Sequence, residues 1–281
     1  MGKLKKIIIL LLTLFLIGTK GAELYASNNK TGSLKSEFTL HPVDAFTAYT
    51  LKRGEWIYNH ALTPYPSWFW WGITDNITTE LDTECWLGGV VSLNFRFKLL
   101  NQRNFIPTIA FETMYQYLSK EIDQLDTYDS LSVKRKGHLW YDRLNLSWEV
   151  KKNIYLHISG GATYLESLTI DNADTVNYEG ETYNNRVTPD ISAGIDFRAY
   201  EWLSLHAVAS YGTTFIYLDN VPRKQQFNIG ARFAPFYGHK NGILRNFRLE
   251  LAILTFRFKE VDHLVSGPLG FIYWQWGGKE E

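Results

Sequence analysis

The stretch Val91-Ser-Leu-Asn-Phe-Arg-Phe-Lys-Leu99 sets Val91, Leu93, Phe95, Phe97 and Leu99 on one face and Ser92, Asn94, Arg96 and Lys98 on the other. Alternation of period two marks a β-strand with two unlike faces. In Arg143–Val150 it recurs, with Leu144, Leu146, Trp148 and Val150 against Arg143, Asn145, Ser147 and Glu149. In Asp190–Arg198, Ile191, Ala193, Ile195 and Phe197 stand against Asp190, Ser192, Gly194, Asp196 and Arg198. Ile154–Tyr164, Leu203–Tyr211, Phe227–Pro235 and Phe247–Ile253 follow the same rule. From Trp56 onward the chain is a series of such segments, each of about ten residues.

The connections alternate in length. Short ones fall at Thr74–Asn76, Leu100–Asn104, Lys151–Asn153, Ala199–Trp202 and Tyr237–Gly242. Longer polar ones fall at Ser119–Gly137 and Ser167–Arg186, with mid-sized ones near Leu218–Lys224 and Lys259–Gly267. The tight Gly88-Gly89 connection is the exception on the long side. A transmembrane barrel keeps this rhythm of short turns and long loops, and a soluble sandwich has no reason to. The count is roughly 12 strands, from about Trp56–Thr63 to about Pro268–Trp276, an even number that leaves both chain ends on one side. The expected fold is therefore all-β, an antiparallel up-and-down transmembrane β-barrel with both termini periplasmic.

Three observations put the apolar face outside. Full charges stand at mid-strand on the polar face, as a wet lumen permits. Aromatic residues of the apolar face gather near strand ends, Phe97, Trp148 and Phe197 by the turns and Tyr115, Tyr117, Tyr164 and Tyr211 by the loops, as in two interfacial girdles. The final segment, Phe271-Ile-Tyr-Trp-Gln-Trp276, is almost wholly apolar and aromatic.

Composition agrees. Aromatics make up 16% of the chain, with ten Trp and seventeen Tyr, residues that favour sites with one apolar and one wet end. The 29 basic and 29 acidic residues balance, which argues against nucleic acid as a partner. The single Cys85 excludes an internal disulfide and lies on the apolar face. Lys3, Lys5, Lys6 and the apolar run Ile7–Ile17 read as a signal peptide cut after Gly21, Ala22 or Ala26, too short to span a bilayer as a helix. No Cys follows it to make a lipoprotein signal. Ser27–Glu55 then reads as a periplasmic N-terminal arm, either free or tucked into the lumen as a plug, the barrel as Trp56–Trp276, and Gly277–Glu281 as a tail.

On these residues the chain resembles the outer-membrane β-barrel proteins of Gram-negative bacteria, in a porin-like sense. The most family-like stretch runs from Gly72-Ile-Thr-Asp-Asn76 to Glu80-Leu-Asp82, a tight turn leading into a barrel strand. The resemblance implies outer-membrane lipid as surroundings and the barrel-assembly machinery as a partner in biogenesis. It also implies a terminal aromatic residue. Trp276 is the nearest match, and the five residues after it depart from the pattern.

For chemistry, the sequence has no His-Glu-x-x-His, phosphate-binding glycine loop or Gly-x-Ser-x-Gly elbow, and no metal or cofactor is expected. The polar face carries a lumen ladder of both signs: Glu80, Asp82, Glu84, Arg96, Lys98, Glu112, Arg143, Glu149, Arg232, Arg248 and Glu250. The acidic strand Glu80–Glu84 is expected within reach of Arg96 and Lys98. A lining of both signs predicts weak ion selectivity. His157, Asp196 and His206 fall at similar depth, with Ser159, Ser204 and Arg198 nearby. They form a candidate His–carboxylate cluster that could titrate, bind metal, activate a serine or simply fill the lumen. The leading expectation is a narrow passive channel, or a conduit for a small solute or a hydrophobic compound, not an enzyme. The alternatives are a closed structural or binding barrel, and a membrane-embedded lipid hydrolase. Solute and oligomeric state are not encoded in these patterns.

Overall fold

The computed structural model describes residues 47–61, 67–82, 90–125, 130–172, 181–212, 223–258 and 264–277. Twelve strands follow in order: β1 (Trp56–Ala61), β2 (Ser67–Thr74), β3 (Ile77–Asp82), β4 (Val90–Leu100), β5 (Thr108–Leu125), β6 (Ser130–Lys151), β7 (Ile154–Asn172), β8 (Glu181–Tyr200), β9 (Leu203–Tyr211), β10 (Arg223–Phe233), β11 (Phe247–Phe258) and β12 (Leu264–Trp276). One helical turn, α1 (Gly242–Arg245), lies between β10 and β11. Each strand pairs antiparallel with its sequence neighbours. β1 closes on β12 from Trp56 opposite Trp276 to Ala61 opposite Phe271. Closure leaves no open sheet edge, which a strand structure in lipid requires.

The distribution of side chains is inverted relative to a water-soluble barrel. Arg143, Arg232 and Glu250 are at most 1% exposed, while Ile191, Ile229 and Ile253 are each more than 55% exposed. Aromatic rings form two bands on the outer face. By the turns, Trp56 stacks on Trp71 at 5.1 Å, Tyr200 on Trp202 at 5.5 Å, and Phe247 meets Trp274 at 5.1 Å. By the loops, Trp140 meets Tyr115 at 5.2 Å and Tyr164 at 6.0 Å, and His138 meets Tyr117 at 4.9 Å. His138, absent from the sequence reading of this band, accepts or donates at 2.7 Å to the Tyr115 hydroxyl. Trp148 and Trp140 are eight residues apart on β6. At about 3.3 Å per residue and a tilt of about 40°, they lie about 20 Å apart along the barrel axis. That spacing fits an apolar band about 25 Å tall between girdles.

Two features depart from the sequence reading. Ser119–Gly137 and Ser167–Arg186 are not irregular loops over most of their length. β5 and β6 stay paired out to Leu125 opposite Ser130, and β7 and β8 out to Ile170 opposite Glu181. These four strands run 18, 22, 19 and 20 residues, against about 9–11 needed to cross lipid. Beyond the lipid a hairpin needs no apolar face, so its sequence loses the alternation while the backbone ladder continues. The second departure is inside. On β1, β2 and β12 the inner wall is apolar apart from Asn59, and Ile57, Trp68, Trp70, Phe271 and Tyr273 cluster there with Leu51. The final strand accordingly alternates, with Phe271 and Tyr273 inward and Ile272 and Trp274 toward the outside.

Candidate functional site

The lumen is crossed toward its turn side by a belt of buried polar side chains. Register sets its members. Ser147 of β6 stands opposite His157 of β7, Asp196 of β8 opposite His206 of β9, and Arg232 of β10 opposite Glu250 of β11. Gly230 faces His206 across β9–β10. A Cβ at Gly230 would lie 2.7 Å from that imidazole, so the glycine makes room for the ring.

The contacts form one chain over six strands. Ser147 Oγ is 2.8 Å from His157 Nδ1, and His157 Nε2 is 3.1 Å from Asp196 Oδ2. Arg232 Nη2 donates to Asp196 Oδ1 at 2.7 Å, and its Nε is 3.4 Å from Glu250 Oε2. Glu250 Oε1 is 3.7 Å from His206 Nε2. With the carboxylate accepting from Nε2–H, a neutral His157 ring leaves Nδ1 to accept the Ser147 hydroxyl proton.

A second group occupies β3–β8. Arg96 pairs with Glu112 at 3.0 Å. Asn94 Nδ2 donates to Glu80 and Glu112 at 2.9 Å each, and Asn145 Nδ2 donates to Glu112 at 2.8 Å. Arg143 pairs with Asp190 at 2.5 Å with both side chains fully enclosed, and its guanidinium carbon sits 4.5 Å from the centre of the Tyr141 ring.

The turn-side mouth below the belt holds the N-terminal segment. Thr47, Ala48 and Leu51 are buried within the barrel. The Ala48 N–H donates to Ser147 Oγ at 2.8 Å, and the Leu51 N–H to Thr78 Oγ1 at 2.8 Å. Thr50 Oγ1 donates to the Asp75 carbonyl at 2.7 Å, and Arg96 Nη1 to the Tyr49 carbonyl at 3.3 Å. The Tyr49 ring stands edge-on to His157, 6.0 Å between centroids. The segment leaves the barrel over Gly72, whose N–H bonds the Glu55 carbonyl at 2.9 Å. A Cβ at Gly72 would lie 2.0 Å from the Lys52 carbonyl oxygen, so only glycine admits the crossing chain. Gln275 of β12 donates to the Glu55 carboxylate at the same place.

Most of the residues expected from sequence meet here, in pairings the sequence did not specify. Arg96 stands opposite Thr78, and its ion pair is to Glu112 across β4–β5 rather than along the acidic strand. Glu80 joins that group through Asn94. Only the backbone of Asp82 is described, and Glu84 and Cys85 lie outside the described residues. Lys98 is half-buried near the turns and Glu149 is exposed. Arg248 Nη1 donates to the carbonyls of Arg245 and Phe247 at 2.6 and 2.9 Å. Of the cluster of His157, Asp196 and His206, His157 bonds Asp196, while His206 faces Glu250 and is linked to Asp196 through Arg232. Its serine is Ser147, not Ser159, which bonds Ser192 at 2.5 Å. Among the described residues no three His, Cys, Asp or Glu side chains are placed to hold a metal ion. Ser147, Asn94, Asn145 and Asp190 were not selected from sequence, although parity alone puts all four on the polar face.

No family model and no curated protein matches the chain. Among solved structures, the NanC porin is similar at 6% identity and a TM-score of 0.44, over 78% of this chain and 98% of that one. An outer membrane channel from Pseudomonas putida F1 is similar at 9% identity and a TM-score of 0.46, over 86% of this chain and 98% of that one. The toluene transporter TodX of Pseudomonas putida follows at 11% identity and 0.37, over 84% and 95%. At those values the likeness carries no argument about what passes through or binds. The chain's own geometry characterises it as a lipid-facing antiparallel barrel of twelve strands with a charged belt and an inserted N-terminal segment.

Proposed function

We propose that the protein is an outer-membrane channel for small polar solutes, held closed at its turn side by its own N-terminal segment. The observation that carries this reading is the pair of backbone bonds from Ala48 and Leu51 to Ser147 and Thr78 on the inner wall. A plug held by a few hydrogen bonds, each worth about 1 kcal/mol net, can leave without unfolding the wall. In this reading the leader directs export, the assembly machinery inserts the barrel, and the turn side faces the periplasm.

Ser147, His157 and Asp196 resemble the order of a hydrolytic triad, but their surroundings favour a latch. The serine oxygen already accepts the Ala48 N–H, and Asp196 is ion-paired to Arg232. All three are buried. Single-channel conductance of the refolded mature protein, with and without residues up to Glu55, tests the proposal. The expected result is a quiet full-length chain and steady conductance on deletion. Silence in both, with the barrel verified by heat-modifiable gel mobility, would favour the second reading, a closed structural barrel. The near-complete burial of Arg143, Arg232 and Glu250 is the observation that supports that alternative.

A further inference from the structure

The apolar face of the barrel continues past the end of its strands at the β4–β5 turn. The β4–β5 connection closes on itself through two backbone bonds between Arg103 and Ile106, of 3.1 and 3.0 Å, with Asn104 at φ 54° at the tip. This tip is fastened to the next turn. Gln102 Nε2 donates to the Glu149 carbonyl at 3.1 Å, the Glu149 N–H returns to Gln102 Oε1 at 2.7 Å, and the Trp148 indole N–H donates to the Phe105 carbonyl at 3.0 Å. Two neighbouring turns are thereby joined into one rigid foot on the outer side of the wall, beside an outward-facing tryptophan.

What the foot presents is unusual for a turn, where polar residues prevail. Phe105 is 95% exposed, and Leu99, Ile106 and Val150 are each more than half exposed. Arg103, Lys151 and Lys152 are exposed around them, and Glu149 is the one acidic side chain on the unit. A preformed apolar wedge rimmed by an excess of two cations suits a surface that is greasy inside and anionic at its edge.

We propose that this foot binds anionic phospholipid in the leaflet at the turn end of the barrel, Phe105 and Ile106 entering among the acyl chains and Arg103, Lys151 and Lys152 meeting the headgroup phosphates. A zwitterionic headgroup brings its own cation, so the excess positive charge of the foot discriminates against it. A lipid surface rather than a single protein partner fits because the β10–β11 connection, on the far side of the rim, repeats the composition. There Phe236, Ile243 and Leu244 are exposed beside Lys240. The inference rests on the reading of the chain as a membrane barrel.

The test is full-length protein in nanodiscs of phosphatidylcholine with a minor share of phosphatidylglycerol, the lipid retained after detergent exchange being counted by native mass spectrometry. Phosphatidylglycerol should be retained over phosphatidylcholine. The triple variant Arg103→Gln, Lys151→Gln, Lys152→Gln should lower that retention by more than about tenfold, as expected for loss of three surface cations. Phe105→Ser should lower it by about tenfold through loss of the buried ring. Equal retention of both lipids by a folded barrel, or unchanged retention in both variants, overturns the inference. A chain that never acquires heat-modifiable mobility in the nanodisc would instead overturn the membrane reading beneath it.

Discussion

Arg143 and Asp190 show what a buried charge does in this wall. They are 2.5 Å apart and both side chains are wholly enclosed. Removing one partner leaves an uncompensated charge, which costs about 3–5 kcal/mol, whereas replacing both with apolar groups of similar size can be neutral. Arg143→Ala should therefore lower stability to urea by about 3 kcal/mol or more, while Arg143→Met with Asp190→Leu should recover most of the loss. Equal destabilisation in the single and double variants would show that Arg143 acts through packing on Tyr141 instead. Gly230 makes a separate point. Its missing Cβ accommodates His206, so Gly230→Ala should destabilise by about 1–3 kcal/mol through overpacking, measured in the same unfolding experiment.

At the scale of elements, the β5–β6 hairpin contains two kinds of strand. Between Tyr115 opposite Trp140 and Thr108 opposite Ser147 it alternates and faces lipid. Beyond Tyr117 opposite His138 the backbone register continues, with Lys120 opposite Arg135 and Glu121 opposite Lys134. Only the first part is needed to close the barrel. Removing residues 121–134 and rejoining Lys120 to Arg135 through Asn-Gly, a two-residue turn suited to antiparallel strands, should leave heat-modifiable mobility intact. Loss of that mobility would show that the distal hairpin helps set the register of the wall. Length matters as well for the sequence reading, because polar segments with no buried face carry no period-two signal even where their backbones remain paired.

For the whole molecule, the balance of charge inside the barrel governs what an open lumen would pass. Arg96, Arg143 and Arg232 stand beside Glu112, Asp190, Asp196 and Glu250. With the N-terminal segment deleted, the reversal potential in a salt gradient should lie close to zero, because neither sign dominates the lining. A strongly cation- or anion-selective current would mean that the belt rearranges when the segment leaves.

The sequence by itself determined the alternation of Val91–Leu99 and its relatives, the even number of strands, the aromatic bands and the polar sense of the lumen. Each depends only on residues close along the chain, since period two and turn spacing are local properties. Tertiary structure alone decided that Arg96 meets Glu112, that Ser147 rather than Ser159 completes the His157–Asp196 chain, and that Thr47–Leu51 lies inside the wall. Those pairings depend on register and stagger around a closed sheet, where a shift of one residue turns an inward side chain outward. The path of the N-terminal segment is less local still. It is fixed by Gly72, Thr78, Ser147 and Gln275, which become neighbours only once β1 has closed on β12.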